Sequence, residues 1–190
     1  MLTHVHYRSQ KFIIDLSKPL DISMPMEASI NNVNAWYLKE PIIKPVVIDN
    51  QIYTVAAGAS INFNNIKFNP HAHGTHTECV GHITKEKYSI NKCLKQFFFL
   101  AEVITVAPEN YKQDFIISKK QLQFALGNKK REALIVRTIP NTKDKLSKQY
   151  SNTNWPYFDR EAMTYLVRKG IKHLLIDLPS IDKENDCGEL

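Results

Sequence analysis

Residues 71–83 read HAHGTHTECVGHI and hold four of the chain's seven histidines, with a glutamate and a cysteine between them. No other stretch constrains the fold as much, because the rest of the chain must serve as the scaffold that holds it. Imidazole nitrogen and carboxylate oxygen are the usual ligands of zinc and of manganese-like ions. His76 and Glu78 are two apart, so in an extended backbone both point to one face, and His71 and His73 share that spacing. Gly74 permits a sharp bend between the two pairs. His82 lies four residues beyond Glu78, and Gly81 lets the chain curl back. One short segment can therefore deliver three or four ligands to one point. The bland alternative is an exposed loop with chance histidines, and four in thirteen residues weighs against it.

Two other chemistries compete for the same residues. His-Gly-Thr-His resembles the histidine motif of subtilisin-like serine proteases, but those need a serine in a Gly-Thr-Ser context and a separate aspartate motif. The chain contains neither Gly-Thr-Ser nor Asp-Ser-Gly or Asp-Thr-Gly. Cys79 could act as a nucleophile paired with His82. It follows Glu78 directly, so in an extended segment it faces away from the ligand set, and a small buried cysteine is the better reading.

The scaffold reads as alternating strands and helices. Residues 11–16 form a strand that turns at Ser17-Lys18-Pro19. Residues 21–45 are irregular, with the polar run Asn31-Asn32-Val33-Asn34, and form a long loop able to cover a site. Residues 46–55 fit a hairpin turning at Asp49-Asn50. Ile61, Phe63, Ile66 and Phe68 mark extended segments that lead into the histidines. Residues 97–106 and 132–138 are apolar enough for buried strands. Ser118-Lys119-Lys120-Gln121 has a capping-box pattern, and its helix should stop at Gly127. Asp159 caps a second helix, with Ala162, Met163, Leu166 and Val167 on its apolar face and Gly170 at its end. Residues 171–178 are a further strand, followed by a polar loop. This order indicates one mixed α/β domain over 1–190. The missing closing element leads us to expect that the chain lacks a C-terminal segment.

Composition narrows the class. The 190 residues are 43% hydrophobic and 23% charged, ordinary for a globular protein with a real core. Three cysteines, Cys79, Cys93 and Cys187, have no framework spacing, which fits a reducing compartment. The first residues lack the apolar core of a signal peptide, and the longest apolar run, 97–107, is broken by Glu102 and is too short to span a bilayer. A cytoplasmic protein is expected, with no membrane association. The formal charge is +6, but the lysines are scattered and no basic run is interleaved with aromatics, so nucleic acid is not expected as a partner. A basic surface would favour anionic small substrates.

Residues 74–82, Gly-Thr-His-Thr-Glu-Cys-Val-Gly-His, resemble the signature of the cyclase family, which includes kynurenine formamidase and isatin hydrolase. The family pattern is His-x-Gly-Thr-His-x-Asp-x-Pro-x-His. Asp15-Leu16-Ser17 resembles the family's opening strand and turn, and residues 177–182 resemble its Asp-x-x-Ser-x-Asp segment. Three departures stand out. Glu78 replaces the family's aspartate, Val80 replaces its proline, and Ala72 stands where its first histidine falls. His71 or His73 is then expected to take over as ligand, and His71 is preferred because it leaves the turn through His73 and Gly74 free.

The resemblance implies a barrel-like or layered β core flanked by helices, often dimeric. It implies a divalent zinc or manganese ion held by His76, Glu78 and His71 or His73, with His82 as proton shuttle or further ligand. The implied activity is hydrolysis of a C–N amide bond, in an aryl formamide such as the N-formylkynurenine of tryptophan breakdown or in a cyclic amide. A histidine and a glutamate that complete the family's metal site would fall beyond Leu190, and His173 is not their counterpart. The competing class is a degenerate or truncated member that binds a metal or ligand without turnover. Trp36 and Tyr37, in the long early loop, could stack on an aromatic substrate.

Overall fold

The apolar segments around 101–176 build the centre of the protein in a computed structural model that describes residues 1–186. Cys187, counted among the three cysteines above, lies outside the described residues, as does the end of the polar C-terminal loop.

The first part of the chain forms small antiparallel pairs. β1 (Leu2–Tyr7) and β2 (Gln10–Asp15) make a hairpin, of which only the second strand was legible in sequence. β3 (Ile42–Pro45) pairs with a later strand across a tight hairpin of β4 (Val47–Ile48) and β5 (Gln51–Ile52). Asp49 and Asn50 both have positive φ, 48° and 62°, as the favoured two-residue hairpin turn requires. β6 (Asn64–Lys67) is the partner of β3 and leads into the single turn α1 (Pro70–His73). A second short turn, α2 (Ile90–Cys93), follows the histidines.

The remaining elements form the core. They are β7 (Ala101–Val106), β8 (Glu109–Tyr111), β9 (Asp114–Ile117), α3 (Lys119–Leu126), β10 (Ala133–Thr138), β11 (Tyr157–Phe158), α4 (Arg160–Lys169) and β12 (His173–Ile176). β10 lies between β7 and β12, and all three run parallel. Parallel neighbours need crossovers, which α3 and α4 provide. Ile104, Val106, Leu134 and Val136 point into one core with Leu122, Leu126, Ala162 and Leu166 from the helices and Ile117 and Phe158 from the β9–β11 pair.

The helix signals act as the sequence indicates. The Ser118 hydroxyl accepts from the Gln121 backbone N–H, and the Gln121 side chain accepts in return from the Ser118 N–H. The Asp159 carboxylate caps α4, and Gly170 closes it at φ 83°.

The barrel-like part of the sequence expectation does not hold. The strands fall into five small sheets, three of them two-stranded, and none closes among the described residues. Closure needs two neighbours for every strand, and among the described residues only β9 and β10 have them. Of the two segments read as buried strands, β10 is buried along most of its length, whereas β7 is buried on one face only. Val103 of β7 is 61% exposed. No helix among the described residues is long and apolar enough to cross a membrane.

A second, smaller cluster of Val33, Ala35, Tyr150 and Trp155 anchors the long early loop, with Met24 and Trp36 packed against it. It brings residues 24–36 next to the histidines: the Met24 N–H donates to the Thr75 hydroxyl at 2.9 Å.

Candidate metal centre

The histidine span begins with α1 because Asn69 and Pro70 start a turn. The Asn69 side-chain oxygen accepts from the His71 N–H at 3.0 Å, and proline at the first helical position lacks only an N–H that would be unpaired anyway. Within a helical turn, residues two apart point about 200° away from each other. His71 and His73 therefore diverge, where an extended backbone would have aligned them.

His73 turns inward. It is buried, its Nδ1 accepts from the Asn69 N–H at 2.8 Å, and its Nε2 is 2.9 Å from the Lys39 carbonyl, to which it donates. With both ring nitrogens engaged, His73 stands apart from the other donors and braces the loop. Gly74 is extended, at φ 171° and ψ −173°, with no atom near the place a Cβ would occupy, so the bend comes from α1 and not from this glycine.

Gly81 is needed for a different reason from the one its position suggested. A Cβ there would sit 2.1 Å from the Tyr88 carbonyl oxygen. The chain presses against residue 88 at this point, inside the short turn Val80–His82 that carries His82 back over Glu78.

His71, His76, Glu78 and His82 converge. His71 Nδ1 is 3.0 Å from Glu78 Oε2 and 3.1 Å from His76 Nε2. His76 Nε2 is 3.8 Å and His82 Nδ1 3.9 Å from the same carboxylate oxygen. The His71 and His82 rings stack at 4.2 Å between centroids. Donors bonded at about 2.05 Å to a tetrahedral ion lie roughly 3.3 Å apart, and these spacings bracket that value.

Two overlapping triads result. His71, His76 and Glu78 form the tighter one, while one ligand atom each from His71, Glu78 and His82 lie within 4.8 Å of one another. The residues present fit a divalent cation.

The His76 tautomer agrees with this use. His76 Nδ1 lies 3.0 Å from the Gly74 carbonyl. A carbonyl only accepts, so Nδ1 carries the proton and Nε2 presents its lone pair to the cluster. Partial burial, followed by the neighbouring imidazoles of His82 and His76, pushes the His71 pKa below the usual histidine value.

Sequence reasoning missed the residue that ties the loop down. Asn32 is buried, and its amide nitrogen donates to the His73 carbonyl at 2.8 Å and to the Val33 carbonyl at 2.6 Å. Its side-chain oxygen accepts from the Glu27 N–H at 2.9 Å. Only the Asn-rich character of the run hinted at it.

Residues 177–182 return to the same neighbourhood. The Asp177 carboxylate accepts from the Thr138 N–H and hydroxyl and from Lys145 Nζ, joining the end of β10 to the segment after it. Burial, then the charges of Asp186 and Glu78, raises the Asp182 pKa.

A family model described as "Putative cyclase" matches residues 14–183. The chain belongs to the cyclase family. The match takes in the histidine span, the opening strand and turn, and the Asp-x-x-Ser-x-Asp segment of this cyclase-family chain. Comparison with curated proteins gave no match.

Proposed function

We propose that the protein is a metal-dependent hydrolase of a C–N amide bond, acting on an aryl formamide such as N-formylkynurenine or on a cyclic amide, as a cytoplasmic homodimer. The observation that carries this reading is the approach of His71 Nδ1, His76 Nε2 and Glu78 Oε2 to within 3.0–3.8 Å of one another. Cyclase-family membership supports an enzymatic role.

His71, His76 and Glu78 would hold the ion, zinc or manganese. When bound, the ion supplies Lewis acidity that acidifies a water and draws electron density from the substrate carbonyl. His82 would do the proton work. It is at the edge of the cluster with its side chain 49% exposed, so its ring can reach both solvent and a bound amide. It takes a proton from the attacking water as the C–O bond forms. It then gives that proton to the leaving nitrogen as the C–N bond breaks. Stacking on His71 holds the ring in place for both transfers. Trp36 and Tyr37 are candidates for contact with an aromatic substrate. Both have φ of 59°, a strained conformation for bulky residues that tends to occur at functional sites.

A metal- or ligand-binding role without turnover is the second reading. It is favoured by the openness of the cluster, since the Glu78 side chain is 50% exposed. The two readings separate on metal content measured alongside a panel of aryl formamides and cyclic amides. Hydrolysis is expected, with His76→Ala losing both metal and activity. His82→Ala should keep the metal and lose about 10²- to 10⁴-fold in rate. Stoichiometric metal without turnover of any substrate would favour binding alone, and full activity in both variants would refute the site.

A further inference from the structure

We propose that the cleft between the β1–β2 turn and the loop from α3 into β10 is an anion site, which takes a small molecule by its phosphate group. The cleft holds about 450 Å³, within the size range of small-molecule sites. Four of the eight residues that line it are cationic, Arg8, Lys129, Lys130 and Arg131, and none is acidic. The other four, Tyr7 and Ser9 among them, carry neutral hydroxyl or amide groups that can donate to an oxygen. Local structure gathers these charges from two parts of the chain. Gly127, at φ 49°, closes α3, and the Lys129 N–H donates back to the Leu126 carbonyl at 3.0 Å. Three consecutive cations then fall just ahead of β10. On the other wall Arg8 is the first of the two turn residues between β1 and β2, with φ of 55°. Glycine and asparagine suit that position, and a long cationic side chain does not, so the strain points to a use for the charge. The Arg8 guanidinium lies over the Tyr7 ring, 5.5 Å from its centroid, which steadies the charge at the cleft.

The fold itself meets only part of this charge. Lys129 Nζ donates to Glu102 Oε1 at 2.6 Å, and Arg131 Nε is 3.3 Å from Oε2 of the same carboxylate. Arg131 also donates to the Lys130 carbonyl at 3.0 Å, while its buried Nε makes no aligned hydrogen bond. The neighbouring acid, Glu132, is bonded to Lys172 at 2.9 Å. Among the described residues neither Arg8 nor Lys130 has a carboxylate within ion-pair reach. Four cations therefore face the single carboxylate of Glu102, a surplus of three positive charges. A phosphomonoester carries about −1.5 to −2 near neutrality and offers three acceptor oxygens, where a carboxylate carries one charge and two oxygens. Guanidinium forks and ammonium groups are its usual partners. A nucleic acid fits less well, because Tyr7, the one aromatic ring lining the cleft, already has Arg8 over its face.

The cleft stands at the entry end of β10. Asp177 and the segment that returns to the histidines lie at the other end, where Asp177 accepts from the Thr138 N–H. The six residues of β10 span roughly 16 Å. The site is thus separate from the metal centre, and the proposal does not depend on the metal reading.

The test is calorimetric titration of inorganic phosphate into the metal-free full chain. About 0.1 M salt screens charges more than about 10 Å away. Saturable binding at one site per chain is expected. Arg8→Gly should weaken it at least tenfold while leaving the melting temperature unchanged or higher, because glycine relieves the turn. Lys130→Gln should weaken it to a similar degree. Lys143→Gln removes one charge beyond the far end of β10 and should leave binding unchanged. No saturation, unaltered binding by Arg8→Gly, or equal weakening by all three variants would overturn the proposal. So would preference for a single-stranded oligonucleotide, or for vesicles containing phosphatidic acid, over free phosphate.

Discussion

Asn32 shows how much of this site depends on a residue that cannot itself take part in the chemistry. Its amide uses both donors and its oxygen on three backbone groups, in a place where water cannot substitute. Replacing it with alanine leaves a buried carbonyl of His73 unpaired, and such orphaned groups cost about 1–3 kcal/mol. His73 is the residue whose ring braces the turn before Gly74, so the loss should also reach His76 and Glu78. We expect Asn32→Ala to lower the unfolding free energy by an amount in that range and to weaken divalent-cation affinity. Chemical denaturation paired with metal titration measures both. A variant with lowered stability and unaltered metal affinity would show that Asn32 supports the fold but not the site.

At the scale of the element, the join between β9 and the segment after β12 makes a pH-dependent prediction. Asp114, at the start of β9, accepts from Lys183 Nζ at 2.7 Å, from the Asn154 amide at 2.9 Å and from the Tyr157 hydroxyl at 3.1 Å. The Lys183 hydrogen bond, then the Asn154 one, holds its carboxyl below the ordinary aspartate value of 3.8. A depressed folded-state pKa means that the stabilisation is fully present above the unfolded value and is lost as pH falls through the folded one. Thermal stability of the wild type should therefore fall below about pH 4 more steeply than that of Asp114→Asn. At neutral pH the variant should be less stable by about 1.5–3 kcal/mol, the range for hydrogen bonds to a charged group. Parallel melting curves that keep the same separation down to pH 2 would refute the assignment.

The same elements show what a sequence can and cannot display. α3 and α4 were legible because their signals are local: Ser118 with Gln121, Asp159, and the glycines at 127 and 170 all act within a turn or two. The turn at Asp49-Asn50 was legible for the same reason. The histidine span was legible as a ligand cluster, since its donors crowd into a few residues. The direction of each donor was not legible, because it depends on α1 being helical, and that one turn sends His71 and His73 opposite ways. β1 and the β8–β9 hairpin were not foreseen. Their strands show weak alternation, with β1 mostly exposed, so no apolar period marks them. Asn32 and Asp177 act across 41 and 39 residues of sequence, distances at which no local pattern operates.

For the whole molecule, the decisive quantity is surface. The chain exposes 14182 Å². A compact monomer of this length exposes roughly 9,000 Å², which leaves roughly 5,000 Å² more than folding alone would account for. The excess is apolar in places where a partner could use it. Leu2 and Ile13, on the β1–β2 hairpin, are 70% and 68% exposed, and Val103 lies on the uncovered face of the parallel sheet. A two-stranded hairpin is at best marginally stable in water unless something packs against it. Large obligate interfaces bury about 2,000–5,000 Å² in total, half of it from each copy, so a second copy seated on the hairpin and the open sheet face would cover up to about half of each excess. We expect a dimer in analytical ultracentrifugation, with Ile13→Asp and Val103→Asp each shifting the population toward monomer by at least tenfold in dissociation constant. That shift corresponds to losing about 1.4 kcal/mol, less than the burial of one such side chain contributes. If the wild type sediments as a monomer at its highest soluble concentration, a second copy is not what covers these faces.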